Sequence, residues 1–350
     1  MKYFVFVAFA LPFLIACNAE KTDQRPELQR FSGETMGTYY QVTYVGEAVA
    51  SLPEQVEDFL RAFNEEVSTY IPSSTISRFN QGVPWDSLRQ ADHFPAYFVE
   101  TIRLSQQIYL QTQGCFDPTV MPLVNYWGFG YTPKRAVNQV DSTVIDSLMQ
   151  FVGFDKLELS GQGRALMLRR KHPQVQLDFS AIAKGFAIDL IAKKLEEVGI
   201  QNYLIDIGGE ALARGDKGSL GPWRLGISIP LKDAALTAIQ TTIPLRDQAI
   251  ATSGNYRIFH EVEGQIYGHT INPFTGYPEL SHLLSASILA PDCATADAFA
   301  TAAMVAGLEK AYALVDSLPQ LEGYFIYADE KGELRTKATP GFAEILSATN

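Results

Sequence analysis

Residues 294–305, Ala-Thr-Ala-Asp-Ala-Phe-Ala-Thr-Ala-Ala-Met-Val, spell an alanine-rich helix that carries one carboxylate, Asp297. A carboxylate set among such apolar neighbours is costly unless it is paired or ligated, so the fold has to bring Asp297 a partner. Thr301 follows four residues later and shares its helix face. Together the carboxylate and the hydroxyl form half of a site for a hard, oxygen-loving cation such as magnesium. The plainer alternative is a core-facing capping Asp beside a helix-packing Thr.

A second segment, Asp178-Phe179-Ser180-Ala181-Ile182-Ala183-Lys184-Gly185, falls at an expected strand-to-helix junction. A helix start presents unpaired N–H groups and the positive end of the dipole, which suits anions. Lys184 can then meet a phosphate, Asp178 can accept hydrogen bonds from a cofactor, and Gly185 relieves crowding. Taken alone, Asp178 as a simple helix cap beside a solvated Lys184 is an equal reading. Gly208-Gly209 and Thr252-Ser253-Gly254 each follow an apolar strand, and the latter can present donors to phosphate. His269 leads directly into the turn Asn272-Pro273-Phe274-Thr275-Gly276 and can move a proton, donate to a phosphate, or merely hydrogen-bond the turn. Tyr126, Trp127, Phe129 and Tyr131 read as packing. No GxSxG elbow, P-loop or complete dinucleotide-binding glycine fingerprint is present.

With 350 residues, 47% of them apolar, the chain has material for a substantial core and about two domains. Its net charge of -11 argues against a nucleic-acid partner. Lys2 precedes an apolar run over residues 3–16, too short for a comfortable membrane span, so residues 1–17 read as a signal peptide. Leu14-Ile15-Ala16-Cys17 resembles a bacterial lipobox, which implies lipid on Cys17 and an exported, membrane-anchored protein. Residues 18–30 would be a polar tether. An exported protein can form a disulfide, but Cys115 and Cys293 read more simply as small packing residues. Cysteine and histidine count and spacing exclude a structural zinc site.

Strand signals cover 31–45 with a turn at Gly37, a hairpin at 156–159 and 165–168, and further runs at 175–179, 203–207, 223–229, 236–243, 248–252 and 285–290. Residues 258–262 and 265–270 suggest another hairpin. Helical spacing covers 53–69, 96–112, 180–198, 294–305 and 309–317, with Gly199 ending the third. Residues 118–131 read as a shaped loop and 133–147 as a surface excursion. Without a regular βαβ rhythm, the expected class is α+β with a mainly antiparallel sheet.

In chain order, Thr35-Met36-Gly37-Thr38-Tyr39, Ser68-Thr69-Tyr70 with Ser77-Arg78-Phe79-Asn80, Phe116-Asp117-Pro118-Thr119-Val120, residues 178–185, Gly208-Gly209, Thr252-Ser253-Gly254, residues 269–278 and Ala296-Asp297 with Thr301 resemble the ApbE family of flavin transferases. The likeness spans nearly the whole mature chain and implies an ApbE-type domain over 31–345, with a two-lobed, T-fold-like architecture. It also implies a magnesium-dependent enzyme that splits FAD and attaches FMN, by a phosphoester, to a Thr or Ser of an exported acceptor flavoprotein, releasing AMP. By position, Met36, Tyr70, Cys115, Phe116, Asp117, Asp178, Lys184 and Ile271 would line the FAD site. Asp297, Thr301 and the Ala181 carbonyl would hold the metal, with His269 and Asp297 the candidate catalytic residues. Asn255 and Asn272 stand where the family often has Asp, and Phe274 where it commonly has a basic residue. A FAD pyrophosphatase and a flavin-carrying lipoprotein are the other classes these residues could serve.

Overall fold

A computed structural model describes residues 27–89, 95–132, 139–231, 238–255, 259–262 and 265–348. The expected signal peptide, Cys17 and most of the expected tether therefore lie outside the described residues. A strand already begins at Leu28, so residues 28–30, expected as part of a tether, pair instead with 43–45.

One eight-stranded sheet organises the molecule. Its order is Leu28–Thr35, Thr38–Val45, Tyr203–Ile207, Glu210–Arg214, Ala249–Gly254, Leu283–Ala290, Glu322–Ala328 and Leu334–Ala338. Every neighbouring pair is antiparallel, which makes the fold α+β as the sequence pattern implied. Successive strand residues point to opposite faces, and this alternation divides two cores. Tyr203, Ile205, Leu212, Ala251, Ile288 and Phe325 face the main helical core. Ala211, Ala213, Ile250, Leu289, Tyr324 and Ile326 face the opposite side, where Trp223–Ser228, Ile239–Leu245 and Phe342 cover them. Because both faces are covered, these strands read as continuous apolar runs rather than half-polar ones.

The helices Leu52–Val67, Ala96–Gln111, Ala183–Glu197 and Cys293–Ala306 carry much of the main core. Their apolar residues follow helical spacing, as in Val56, Phe59, Leu60, Phe63 and Val67. A smaller lobe gathers around Leu123, Trp127, Ile145, Val152, Tyr267 and Ile271.

Five sequence expectations change in the structure. Residues 118–131 contain a short helix, Met121–Tyr126, started by Pro122 in its first turn, and 133–147 leads into the helix Ser142–Met149, capped by Asp141. Residues 175–179 form no strand: the Asn80 side chain bonds both the N–H and the C=O of Leu177, replacing a neighbouring strand. The expected helix at 180 starts later, at Ala183, because Asp178 folds 178–182 into a turn by accepting from the Ser180 N–H. The strand expected at 236–243 is Ile239–Leu245, and residues 232–237 lie outside the described residues.

Candidate active site

A cleft of about 480 Å³ opens between the sheet, the start of helix Ala183–Glu197, one face of helix Cys293–Ala306 and the small lobe. Asp297, Thr301 and Val305 line it from successive turns of one helix face. Asp178 and Ala181 enter from the junction before Ala183–Glu197, and Lys184 from that helix's first turn. Cys115, Phe116 and Asp117 come from the segment after helix Ala96–Gln111, and Tyr70 stands 66% exposed at the rim. His269 and Ile271 come from the small lobe. The structure thus brings together every expected site residue but one. Met36 occupies the hairpin turn at φ 50 and packs against the main core rather than lining the cleft.

The two helices that meet at the floor clasp each other through carboxylates. Asp297 Oδ2 accepts the Gly185 N–H at 3.1 Å, at the start of Ala183–Glu197. Asp189 of that helix accepts the Cys293 and Ala294 N–H groups, at the start of the other. Each carboxylate satisfies orphan donors at its partner's positive end. Gly185 permits the approach, since a Cβ there would lie 2.2 Å from the Cys293 carbonyl oxygen. The anion expected at this helix start is therefore the protein's own Asp297.

Lys184 bridges two buried carboxylates. Its Nζ lies 3.2 Å from Glu210 Oε1 and 3.7 Å from Asp297 Oδ1. Burial lowers the pKa of this ammonium, but Asp297 and Glu210 together more than offset that and leave it above its ordinary value. Glu210 is only 7% exposed, and burial holds its carboxyl above the usual range even with Lys184 beside it. Asp117 accepts the Thr119 N–H and hydroxyl, at 2.8 and 2.6 Å, yet burial pushes its carboxyl up to about 6. Asp178 is likewise raised by burial despite its bonds from Ser180.

A profile of the ApbE family matches residues 36–325. This chain belongs to the ApbE family. It is 36% identical over 345 residues to the FAD:protein FMN transferase of Haemophilus influenzae, covering 97% of this chain and 96% of that protein. The FAD:protein FMN transferase of Escherichia coli K12 is 32% identical over 352 residues, covering 95% and 94%. Among solved structures, the flavin transferase ApbE from Vibrio cholerae superposes with a TM-score of 0.80 at 32% identity, covering 92% of this chain and all of that one. The apo flavinyl transferase ApbE of Pseudomonas stutzeri gives 0.76 at 31% identity, covering 92% and 97%.

The ApbE cleft also contains residues to which sequence reasoning assigned no site role of their own. Glu210 is the most consequential; Ser180, Thr270 and Phe129 also line the walls. The one available signal was a charged residue opening the apolar strand Glu210–Arg214. Ser253, on the expected hydroxyl segment, meets the Thr301 hydroxyl at 3.1 Å. Asn272 keeps a structural job: its Oδ1 accepts the Phe274 N–H and its Nδ2 donates to Glu279. Asn255 accepts from the Thr270 hydroxyl. Cys115 and Cys293 are both free thiols.

Among the described residues no group of three or more His, Cys, Asp or Glu converges as a metal cage. The expected set, the Asp297 carboxylate, the Thr301 hydroxyl and the Ala181 carbonyl, consists of hard oxygen donors suited to magnesium, and all three residues line the cleft. Two buried carboxylates share one ammonium, and Glu210 Oε2 is buried without a hydrogen-bond partner. The floor is therefore short of positive charge, and a hard cation fits it.

Proposed function

We propose that this ApbE-family protein transfers FMN from FAD to a Thr or Ser hydroxyl of an exported acceptor flavoprotein, releasing AMP. The observation that carries this reading is the convergence of Ala181, Lys184, Asp297 and Thr301, from distant chain segments, in one cleft. Asp297, Thr301 and the Ala181 carbonyl would hold magnesium, which when bound neutralises and orients the diphosphate.

The protein's own residues then divide the work. Tyr70, Cys115, Phe116 and Ile271 offer apolar and aromatic surface for the rings of FAD, while Asp117 and Asp178 offer acceptors. Lys184 brings the ammonium that attracts the phosphates. The acceptor oxygen attacks the phosphorus on the FMN side, the bond to the AMP phosphate breaks, and AMP leaves with the electron pair. His269, on the cleft wall, takes the hydroxyl proton. Lipid on Cys17 would hold the domain at a bacterial membrane, outside the cytoplasm, where exported acceptors are found.

Covalent flavin on a Thr-containing acceptor, followed by fluorescence after denaturation, tests the reaction. The wild-type protein with FAD and magnesium should label the acceptor, and Asp297→Asn should label it at least roughly a hundredfold more slowly. Free FMN and AMP without labelling would instead indicate a pyrophosphatase, and intact bound FAD a carrier. Retention of Cys17→Ala in the membrane fraction would contradict the anchor.

A further inference from the structure

We propose that Glu210 is a positioning residue that holds the Lys184 ammonium away from Asp297, so that a divalent cation can take that carboxylate. This rests on the reading above that Asp297 binds the cation. Asp297 has one oxygen committed, because Oδ2 accepts the Gly185 N–H at 3.1 Å. The other, Oδ1, already faces Lys184 at 3.7 Å. Ammonium and cation therefore compete most directly for Oδ1, the oxygen that takes no backbone N–H, and two positive charges cannot share it at low cost.

Glu210 resolves that competition. Its Oε1 is the nearer partner of Lys184, at 3.2 Å. Its Oε2 is buried and accepts no hydrogen bond, so the residue has acceptor capacity in reserve. An ammonium has three donors, and both Glu210 oxygens can engage it once Asp297 is given up. Glu210 itself follows the Gly208-Gly209 turn at the head of its strand, which holds the carboxylate on a rigid element beside the cleft. With glutamine there, Asp297 becomes the only carboxylate paired with Lys184 among the described residues, and a cation must break that pair to bind.

Magnesium titration calorimetry on the full chain, without FAD, tests this through four proteins. Glu210→Gln should bind magnesium about tenfold more weakly than wild type, the scale of ordinary coupling between sites. Lys184→Met should bind at least as tightly as wild type. The double variant should recover to within about threefold of wild type, because the competitor has gone. Glu210→Asp, which keeps the charge, should rescue most of the loss and shows that the fold tolerates change there. A Glu210 that merely supports the fold, or ligates the cation itself, would leave the double variant as weak as Glu210→Gln, and that result overturns the proposal. Wild-type affinity in Glu210→Gln overturns it too. Asp297→Asn separates the two layers: unchanged magnesium binding there sinks the cation reading itself, whatever Glu210 does.

Discussion

Individual buried charges in this chain mark the places where folding and function meet. Asp297 was legible because an alanine-rich helix leaves a carboxylate no charged partner of its own. Glu210 was not, since a Glu after two glycines looks like any solvated turn residue; only the sheet shows it buried against Lys184. Glu66 makes the same point away from the cleft. It is 6% exposed and accepts the Phe98 N–H at 2.9 Å, at the start of helix Ala96–Gln111. Burial pushes its carboxyl up to about 7, against those N–H bonds. A raised carboxyl means the folded state keeps a proton that the unfolded state releases. Its stabilising contribution is thus full below about pH 4.5 and is lost as pH rises through about 7. Glu66→Gln should flatten that decline, by up to roughly 3 kcal/mol across the window. Urea midpoints measured from pH 4 to 8 check it; parallel curves for the two proteins would refute the assignment.

At the level of elements, local pattern identified most helices and strands, but not their exact starts or the contacts between them. Helical spacing located Leu52–Val67 and Ala96–Gln111 well. It placed the start of Ala183–Glu197 three residues early, because the Asp178 side chain holds the preceding residues in a turn. That shift puts Asp297, rather than a ligand's phosphate, against the Gly185 N–H at the helix start. The crossing depends on the absence of a side chain at Gly185. Gly185→Ala would thrust a methyl to 2.2 Å from the Cys293 carbonyl and push the helices apart. The expected cost is about 2–3 kcal/mol of stability, in the range for overpacking, together with loss of magnesium binding at Asp297. Thermal unfolding and cation titration of the variant check both. A stable variant that still binds the cation would show the clasp to be dispensable.

Across the whole molecule, the sheet order was the least legible feature. Some sequence-adjacent strands pair as hairpins, as across Gly37, but the remaining neighbours come from distant parts of the chain, and no local pattern states that choice. Glu322–Ala328 and Leu334–Ala338 were missed for a related reason. With Tyr324 and Ile326 in one core and Phe325 in the other, the first of these lacks the alternation that betrays a half-exposed strand. The small lobe matters because Ile271 belongs both to its core and to the cleft wall. Trp127 ties that lobe to the turn after His269, its Nε1–H donating to the Gly276 carbonyl at 2.9 Å and its ring packing on Tyr267. Trp127→Phe keeps the ring but strands a buried carbonyl, at a local cost of about 1–3 kcal/mol. The KM for FAD should rise several-fold, roughly in line with that cost, while the midpoint of the main unfolding transition stays put. An unchanged KM would show that the lobe does not shape the flavin site.

Diffraction from crystals soaked with FAD and manganese, collected for anomalous signal, asks most directly whether the cleft floor binds a cation and a dinucleotide together. The expected map shows one anomalous peak in contact with Asp297, Thr301 and the Ala181 carbonyl, with the FAD diphosphate beside it. A bound flavin with no metal peak at Asp297, or a peak elsewhere on the surface, would contradict it.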